Sequence, residues 1–204
     1  MENKETVLVT GGSGFIATHC IMQLVIAGYN IKATVRDLSR TSMLNDIIAN
    51  GLKKQNISAE LAIDWQEASL TDDAGWDAAV AGCDYVLHVA SPVAMEMPKD
   101  ENEMITPAVE GTKRVLQAAS KAGVKRVVVT SSVAAILYGK EKKEPFTEDD
   151  WTDVNSKSAN AYARSKTFAE KAAWEFIDND DSGMELACVN PSLVLGPILE
   201  KDFG

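Results

Sequence analysis

The stretch from Val7 to Ala17 most constrains what this chain can fold into. It opens with a short apolar run rich in β-branched residues, which is typical of a fully buried strand. A glycine-dense turn follows, and the apolar periodicity from Phe15 to Ala27 predicts a helix. Glycines permit a sharp turn and a close approach to a ligand, and the start of a helix favours an anion. Strand, glycine turn and helix in this order predict a cradle for a pyrophosphate.

The glycines of this turn have different expected tasks. Gly11 is expected to make the tight turn, Gly14 to allow close approach, and Ala17 to let the helix pack closely on the strand. Gly12 offers a second register, Gly12-x-Gly14-x-x-Ala17, so the spacing leaves open which glycine does what. The predicted cofactor contacts of the turn are Gly11, Gly12, Ser13, Gly14, Phe15 and Ile16.

The composition excludes several classes of protein. With 204 residues, of which 46% are hydrophobic, the chain can form one α/β domain with a sizeable core. The net charge of −10 argues against nucleic acid or an anionic membrane as a partner. The three cysteines lack metal-binding spacing, and the sequence shows neither a signal sequence nor a membrane-spanning run. We therefore expect a cytoplasmic protein without a metal site.

Buried-strand patterns alternate with helical patterns along the rest of the chain. This alternation predicts the α/β class: a doubly wound parallel sheet of the Rossmann type, with six strands in the order 3-2-1-4-5-6 and ligand at their carboxyl ends. Residues 1–204 are expected to form one dinucleotide-binding domain, and Gly51 is expected to stop the second helix. After the first strand, the predicted strands are 31–36, 59–64, 85–90, 125–130 and 184–189; the predicted helices are 15–27, 41–50, 73–80, 102–122 and 160–177.

The residue that closes the second strand of such a sheet selects the nucleotide. An acidic residue there binds the ribose 2′-hydroxyl of NAD, whereas an arginine accommodates the 2′-phosphate of NADP. Here the position is Arg36, which could pair with a phosphate through two hydrogen bonds. Arg40 could assist, while the adjacent Asp37 keeps NAD open as an alternative. The sequence therefore favours NADP.

Two further strand ends are predicted to contact the cofactor. Asp64 is expected to close the third strand, where its carboxylate could accept from the adenine amino group while Trp65 supplies backbone groups. A helix cap or a turn is an equally good explanation of Asp64. The fourth strand ends in small residues that suit close approach of a ligand to the backbone, although a plain turn would have the same composition: Val89, Ala90 and Ser91.

A candidate catalytic group lies near the fifth and sixth strands. Thr130 ends the fifth strand and is a predicted cofactor contact, as are Tyr162 and Lys166, and Ser132 follows the strand. Tyr162 and Lys166 are four residues apart in a predicted helix and so lie on one face, one turn apart. An ammonium beside a phenol favours the phenolate and lowers the phenol's pKa, which suits a general acid. We expect Tyr162 to be that acid, Lys166 to lower its pKa and hold the ribose, and Ser132 to bind a carbonyl oxygen.

Other residues of suitable type have simpler explanations. Tyr138 and Lys142 repeat the spacing of Tyr162 and Lys166, but a glycine and a charged segment argue against a helix there. His88, within an apolar strand, is expected to be a packed structural histidine.

Together these motifs resemble the extended short-chain dehydrogenase/reductase family, and within it the branch of dihydroflavonol 4-reductases, cinnamoyl-CoA reductases and related aldehyde or ketone reductases. The resemblance implies NADPH as hydride donor and the second serine, Ser132, as catalytic. It also implies that Pro191 and Ser192 pass the nicotinamide end. Family members continue beyond the equivalent of Gly204, in a segment that builds most of the substrate pocket. The motifs are residues 9–17, 33–37, 88–92, 107–112, 129–132, 162–166 and 189–192.

Three functions remain open from the sequence. The first is NADPH-dependent reduction of an aldehyde or ketone to an alcohol, by a monomer or homodimer. The second is an NAD-dependent nucleotide-sugar epimerase or dehydratase, against which Arg36 argues. The third is a non-catalytic NADP-binding regulator or scaffold, against which the set of Ser132, Tyr162 and Lys166 argues.

Overall fold

Six strands in the described part of the chain form one parallel sheet, in the order β3-β2-β1-β4-β5-β6. The computed structural model describes residues 4–92, 98–141 and 144–199. The strands are β1 Thr6–Val9, β2 Asn30–Val35, β3 Ile63–Glu67, β4 Tyr85–His88, β5 Arg126–Thr130 and β6 Glu185–Val189. The helices are α1 Phe15–Ala27, α2 Thr41–Lys54, α3 Trp76–Val80, α4 Asn102–Lys121 and α5 Ala161–Asp178, with short 3₁₀ turns at Leu38–Arg40 and Val133–Ala135.

The predicted fold class and strand order are confirmed. Helices cover both faces, so the inner strands are buried on both sides and contain nearly continuous apolar runs. Leu8 faces a cluster built with α3, α4 and α5, whereas the next residue, Val9, faces a cluster built with α1 and α2. Both side chains are fully buried. The parallel arrangement brings the carboxyl ends of all six strands to one edge of the sheet.

Helix α2 does not stop at Gly51, contrary to the prediction, but continues to Lys54. Gly51 packs against α1: a Cβ atom there would lie 2.7 Å from Met22 Sδ. The glycine therefore serves a close helix–helix contact instead of a helix end.

Strand β3 begins at Ile63, four residues later than predicted. Its register against β2 pairs Lys32 with Asp64 and Val35 with Glu67, which moves the carboxyl end of the strand beyond Asp64. Helix α3 also starts later than predicted, at Trp76, because the chain turns at Gly75 with a φ of 87°. The remaining boundaries agree within two residues, which is the ordinary variation of element ends. Among the described residues, no helix is long and apolar enough to cross a membrane.

Candidate active site

The glycine turn between β1 and α1 is held against β2 and the chain that follows β4. Gly11 has a φ of 67°, and a Cβ atom on it would lie 3.0 Å from Ala90 Cα. The amides of Gly11 and Gly12 donate to Thr34 Oγ1 at 3.0 Å and to the Thr34 carbonyl oxygen at 2.7 Å. Gly12 lies under the Trp65 ring, where a Cβ atom would be 2.6 Å from Cζ3. Gly11 therefore makes the tight turn, and Gly12 packs against protein.

Gly14 is the glycine that faces open space. It is exposed, and a Cβ atom on it would meet only the Gly11 carbonyl oxygen within 4 Å, at 3.3 Å. Its own carbonyl oxygen accepts from Thr18, which begins the hydrogen-bond ladder of α1. The N–H groups in the first turn of a helix have no hydrogen-bond acceptor within the helix. Ala17 is fully buried against the sheet. This geometry fits the first of the two glycine registers.

The end of β2 presents a cation at the same edge. Arg36 follows the last residue of β2 and is exposed. The Asp37 carboxylate accepts from the Ser39 amide at 2.9 Å and caps the 3₁₀ turn Leu38–Arg40. This hydrogen bond lowers the pKa of Asp37. Asp37 therefore has a local structural role, and Arg36 is exposed beside it at the end of β2.

Asp64 does not lie at the carboxyl end of β3, so the prediction of its position is wrong. It is the second residue of the strand, lies 3.7 Å from Lys32 Nζ and accepts from Gln66 Nε2 at 2.7 Å. The adenine contact proposed for it thus loses its geometric basis. Trp65 does reach the glycine turn, but through its ring, whose Nε1 donates to Asn45 Oδ1 at 2.9 Å.

Ser69 and Leu70 follow the actual end of β3, and the sequence pattern did not single them out as residues at the edge of the candidate site. Trp76 Nε1 donates to the Ser69 carbonyl oxygen at 3.1 Å, and Arg114 Nη1 donates to the Leu70 carbonyl oxygen at 2.8 Å. These bonds hold the loop at the carboxyl edge of the sheet. The turn-forming residues 71–73 were the sequence signal that the third strand ends later than Asp64.

The end of β4 packs closely on the glycine turn. The Ala90 amide donates to Thr10 Oγ1 at 3.0 Å, and Ala90 is the residue that lies against Gly11. Val89 and Ser91, on either side of it, are both partly exposed at this edge. A small residue is thus needed at Ala90 for its close contact with Gly11 within the chain.

His88 is buried between β4, β1 and α4, as expected of a structural histidine. Its Nδ1 lies 2.9 Å from Thr10 Oγ1, and its Nε2 lies 3.4 Å from Thr112 Oγ1. Because the Thr112 hydroxyl donates to the Ala108 carbonyl oxygen, it can only accept from the imidazole, which assigns the hydrogen to Nε2. Burial, and then the charge of Lys166, lower the pKa of His88 to about 3.

The candidate catalytic residues lie where β5 ends and α5 begins. Ser132 follows β5 and is nearly buried, and its Oγ accepts from the Ala134 amide at 3.1 Å. Tyr162 is the second residue of α5, which Asn160 caps by accepting from the Ala163 amide at 2.9 Å. Tyr162 packs on the small cluster that contains Ala134 and Ala163. The two elements that carry Ser132 and Tyr162 are therefore in contact.

Lys166 lies one turn further along α5, with 7% of its surface exposed. Its Nζ donates to the carbonyl oxygen of Thr130, the last residue of β5, at 3.1 Å. Burial lowers the pKa of Lys166 to about 8, and the charge of Glu170 opposes that effect. The sequence reasoning missed Glu170, although its position four residues after Lys166 places it on the same helix face.

The chain after β6 passes the same place. The Val133 amide donates to the Pro191 carbonyl oxygen at 3.0 Å, so Pro191 lies beside the chain that follows Ser132. Ser192 is exposed. Of the second tyrosine–lysine pair, Tyr138 is partly buried, whereas Lys142 lies outside the described residues. No cluster of metal-ligating side chains occurs in the ranges that the structure describes.

Comparison with known proteins identifies the family. The family model described as the NAD dependent epimerase/dehydratase family matches residues 7–203. The chain belongs to this family. The resemblance to extended short-chain dehydrogenase/reductases, and to their reductase branch, is thereby confirmed.

Relatives of this epimerase/dehydratase-family chain include plant reductases. Dihydroflavonol 4-reductase of Arabidopsis thaliana is 38% identical over 205 residues, a match that covers 98% of this chain and 52% of the relative. Cinnamoyl-CoA reductase CAD2 of Medicago truncatula is 35% identical over 200 residues, which covers 95% of this chain and 59% of the relative. The chain thus spans about half the length of the curated relatives that it matches.

Solved structures of similar fold include reductases. Yeast methylglyoxal/isovaleraldehyde reductase Gre2, complexed with NADPH, matches with a TM-score of 0.79 at 33% identity, over 94% of this chain and 59% of that one. Gre2 of Candida albicans, also complexed with NADPH, matches with a TM-score of 0.78 at 36% identity, over 95% and 59% of the two chains.

Proposed function

We propose that this protein binds NADPH and reduces an aldehyde or ketone to an alcohol. One observation carries the proposal: α5 places Tyr162 and a buried Lys166 beside the end of β5, on the sheet edge where the glycine turn lies. The reductase relatives and the two NADPH-complexed Gre2 structures support the same function. A proton donor and a hydroxyl side chain at this edge suit a carbonyl oxygen as the reacting group.

The chain's dinucleotide-binding residues fit NADPH. Gly14 leaves the start of α1 open, where a pyrophosphate would accept from backbone N–H groups. The Arg36 guanidinium, exposed after β2, would pair with the 2′-phosphate. Lys166 would hold the ribose hydroxyls, and Pro191 and Ser192 would border the nicotinamide. When bound, the reduced nicotinamide supplies a hydride.

The catalytic residues act on the carbonyl oxygen. Ser132 donates a hydrogen bond to this oxygen and stabilises the negative charge that develops on it as the carbon is reduced. Tyr162 then donates its hydroxyl proton to the oxygen, which yields the alcohol. The positive charge of Lys166 favours the phenolate that remains. The phenol regains its proton from solvent.

Tyr162→Phe tests the proposed acid. The variant should bind NADPH with unchanged affinity and lose turnover by about 10²–10⁴-fold, because only the proton donor is removed. Binding is measured by NADPH fluorescence titration, and turnover by NADPH absorbance with a panel of aldehydes and ketones.

Tyr138→Phe is the matched control, since Tyr138 packs on the same small cluster but lies outside α5. It should retain turnover. Equal loss in both variants, or retained turnover in Tyr162→Phe, would contradict the proposed role.

A sugar-nucleotide substrate in the same panel separates reduction from epimerisation. A wild-type protein that binds NADPH and turns over no carbonyl compound would be a non-catalytic binder.

A further inference from the structure

Glu170 is a buried carboxylate that the proposed mechanism does not use. It lies one helical turn after Lys166, and 5% of the residue is exposed. Both side chains line a small cavity between α4, α5, β4 and β5. Burying a carboxylate costs free energy unless polar groups stabilise it, so Glu170 is expected to have hydrogen-bond partners.

Asn190 connects Glu170 to the chain that carries Ser132. Its Nδ2 donates to Glu170 Oε2 at 2.8 Å and to the Ser132 carbonyl oxygen at 3.2 Å. Both partners are acceptors, so the amide must present its nitrogen to them. The carboxylate is thereby held where α5, the end of β5 and the end of β6 meet.

The other groups around Lys166 carry no negative charge at neutral pH. On β4, His88 is neutral, since its pKa is about 3. On β6, Cys188 remains a thiol, since burial and Glu170 raise its pKa to about 12. The cavity-lining residues of α4 and of the end of β5 are uncharged: Ala108, Thr112, Val129, Thr130 and Ser131.

Two effects therefore oppose each other at Lys166. Burial removes water from the ammonium and lowers its pKa, while Glu170 raises it, for a net value of about 8. Without the carboxylate, the ammonium would lose its proton at a lower pH. A neutral amine would no longer favour the Tyr162 phenolate.

We propose that Glu170 is a positioning residue, whose carboxylate, held by Asn190 in the cavity that Lys166 also lines, keeps the buried ammonium group charged where it donates to the Thr130 carbonyl oxygen. The catalytic meaning of this arrangement rests on the proposed reductase function. The charge relation between the two side chains does not, and it can be measured without a substrate.

The test is the titration of Lys166 followed by NMR of protein labelled with ¹³C-lysine, with the signal assigned from Lys166→Arg. Glu170→Gln keeps the size of the side chain and an acceptor for Asn190 but removes the charge. The titration midpoint of Lys166 should fall by about one pH unit or more, as expected for the loss of a charge one helical turn away. Glu175→Gln, on an exposed position of the same helix, should leave the midpoint unchanged.

A second variant tests the holding of the carboxylate. Asn190→Ala keeps the charge but removes its donor, so the midpoint should fall by a smaller amount. An unchanged midpoint in either variant, or an equal shift in Glu175→Gln, would overturn the proposal.

The same variants separate this proposal from the proposed function. In the reductase assay, Glu170→Gln should move the alkaline limit of kcat to lower pH by the same shift. If the midpoint shifts but Tyr162→Phe retains turnover, the reductase mechanism fails and the charge relation stands. If Tyr162→Phe loses turnover and the midpoint is unmoved, the positioning role fails alone.

Discussion

The two serines that follow β5 differ in what their hydroxyl groups contact. Ser132 Oγ accepts from the Ala134 amide, which leaves its own hydrogen for another acceptor. Ser131 Oγ is buried and has no hydrogen-bond partner among the described residues. Both hydroxyl groups can therefore donate a hydrogen bond, and Ser131 also lines the cavity beside Lys166. The family resemblance is what assigns the carbonyl-binding role to Ser132.

Ser132→Ala should lower kcat by about 10²–10³-fold in carbonyl reduction, since one donor to the developing oxyanion is removed. Ser131→Ala is the matched control. It should retain turnover and keep or raise the free energy of unfolding, because a buried hydroxyl without a partner has a desolvation cost and no compensating hydrogen bond. Steady-state kinetics and urea unfolding of both variants provide the comparison. A larger loss of turnover in Ser131→Ala would reverse the assignment.

Arg36→Glu should weaken NADPH binding by about 2–3 kcal/mol and NADH binding far less, because only NADPH carries the 2′-phosphate. Lys53→Glu makes the same charge change at an exposed position of α2 and should alter neither affinity. Fluorescence titration with both nucleotides measures the difference. Equal weakening of both in Arg36→Glu would show that Arg36 does not select the nucleotide.

At the scale of elements, helix α2 shows how packing overrides local preference. Glycine is a poor helix former, which is why the sequence pattern predicts an end at Gly51. The buried contact between Gly51 and Met22 of α1 explains both the glycine and the continued helix. No local signal reports that contact, since the two residues are 29 positions apart.

Gly51→Ala should destabilise the protein by about 1–3 kcal/mol, because the added methyl group overpacks the contact with Met22. Asn50→Ala, on the exposed side of α2, should instead be neutral or stabilising by a few tenths of a kcal/mol through helix propensity. Urea unfolding measures both. A stabilisation by Gly51→Ala equal to that by Asn50→Ala would mean that Met22 moves aside freely.

Strand β3 is the second element where pairing decided the outcome. Residues 59–64 are mostly apolar without a strict alternation, and the apolar pattern continues into Trp65, so the pattern alone does not define which residues pair. The register with β2 selects residues 63–67. The carboxyl end of β3 consequently lies at Glu67, three residues beyond Asp64.

At the scale of the whole molecule, the sheet separates two apolar clusters, and polar groups collect at its carboxyl edge. His88, the last residue of β4, is a titratable group that is enclosed by the ends of β1 and β4 and by α4. Its burial makes folding depend on pH.

Between pH 7 and pH 5, His88 should decrease the free energy of unfolding by about 2 kcal/mol. Its pKa is about 3 in the folded protein and about 6.5 in the unfolded chain, so below pH 6.5 the unfolded chain binds the extra proton. The stabilisation is therefore complete above pH 6.5 and is lost on acidification. Urea unfolding of wild type and His88→Gln over this range measures the slope that His88 contributes.

Local sequence patterns were enough to predict the strand–turn–helix unit, the alternation that leads to the strand order, and the shared helix face of Tyr162 and Lys166. These features depend on residues that are neighbours along the chain, and backbone geometry relates neighbours directly. Long-range contacts set three other features. Lys166 is buried, Asp64 lies away from the carboxyl end of β3, and Asn190 joins Glu170 to Ser132. Burial and strand register arise from contacts between residues distant in sequence, which no local pattern encodes.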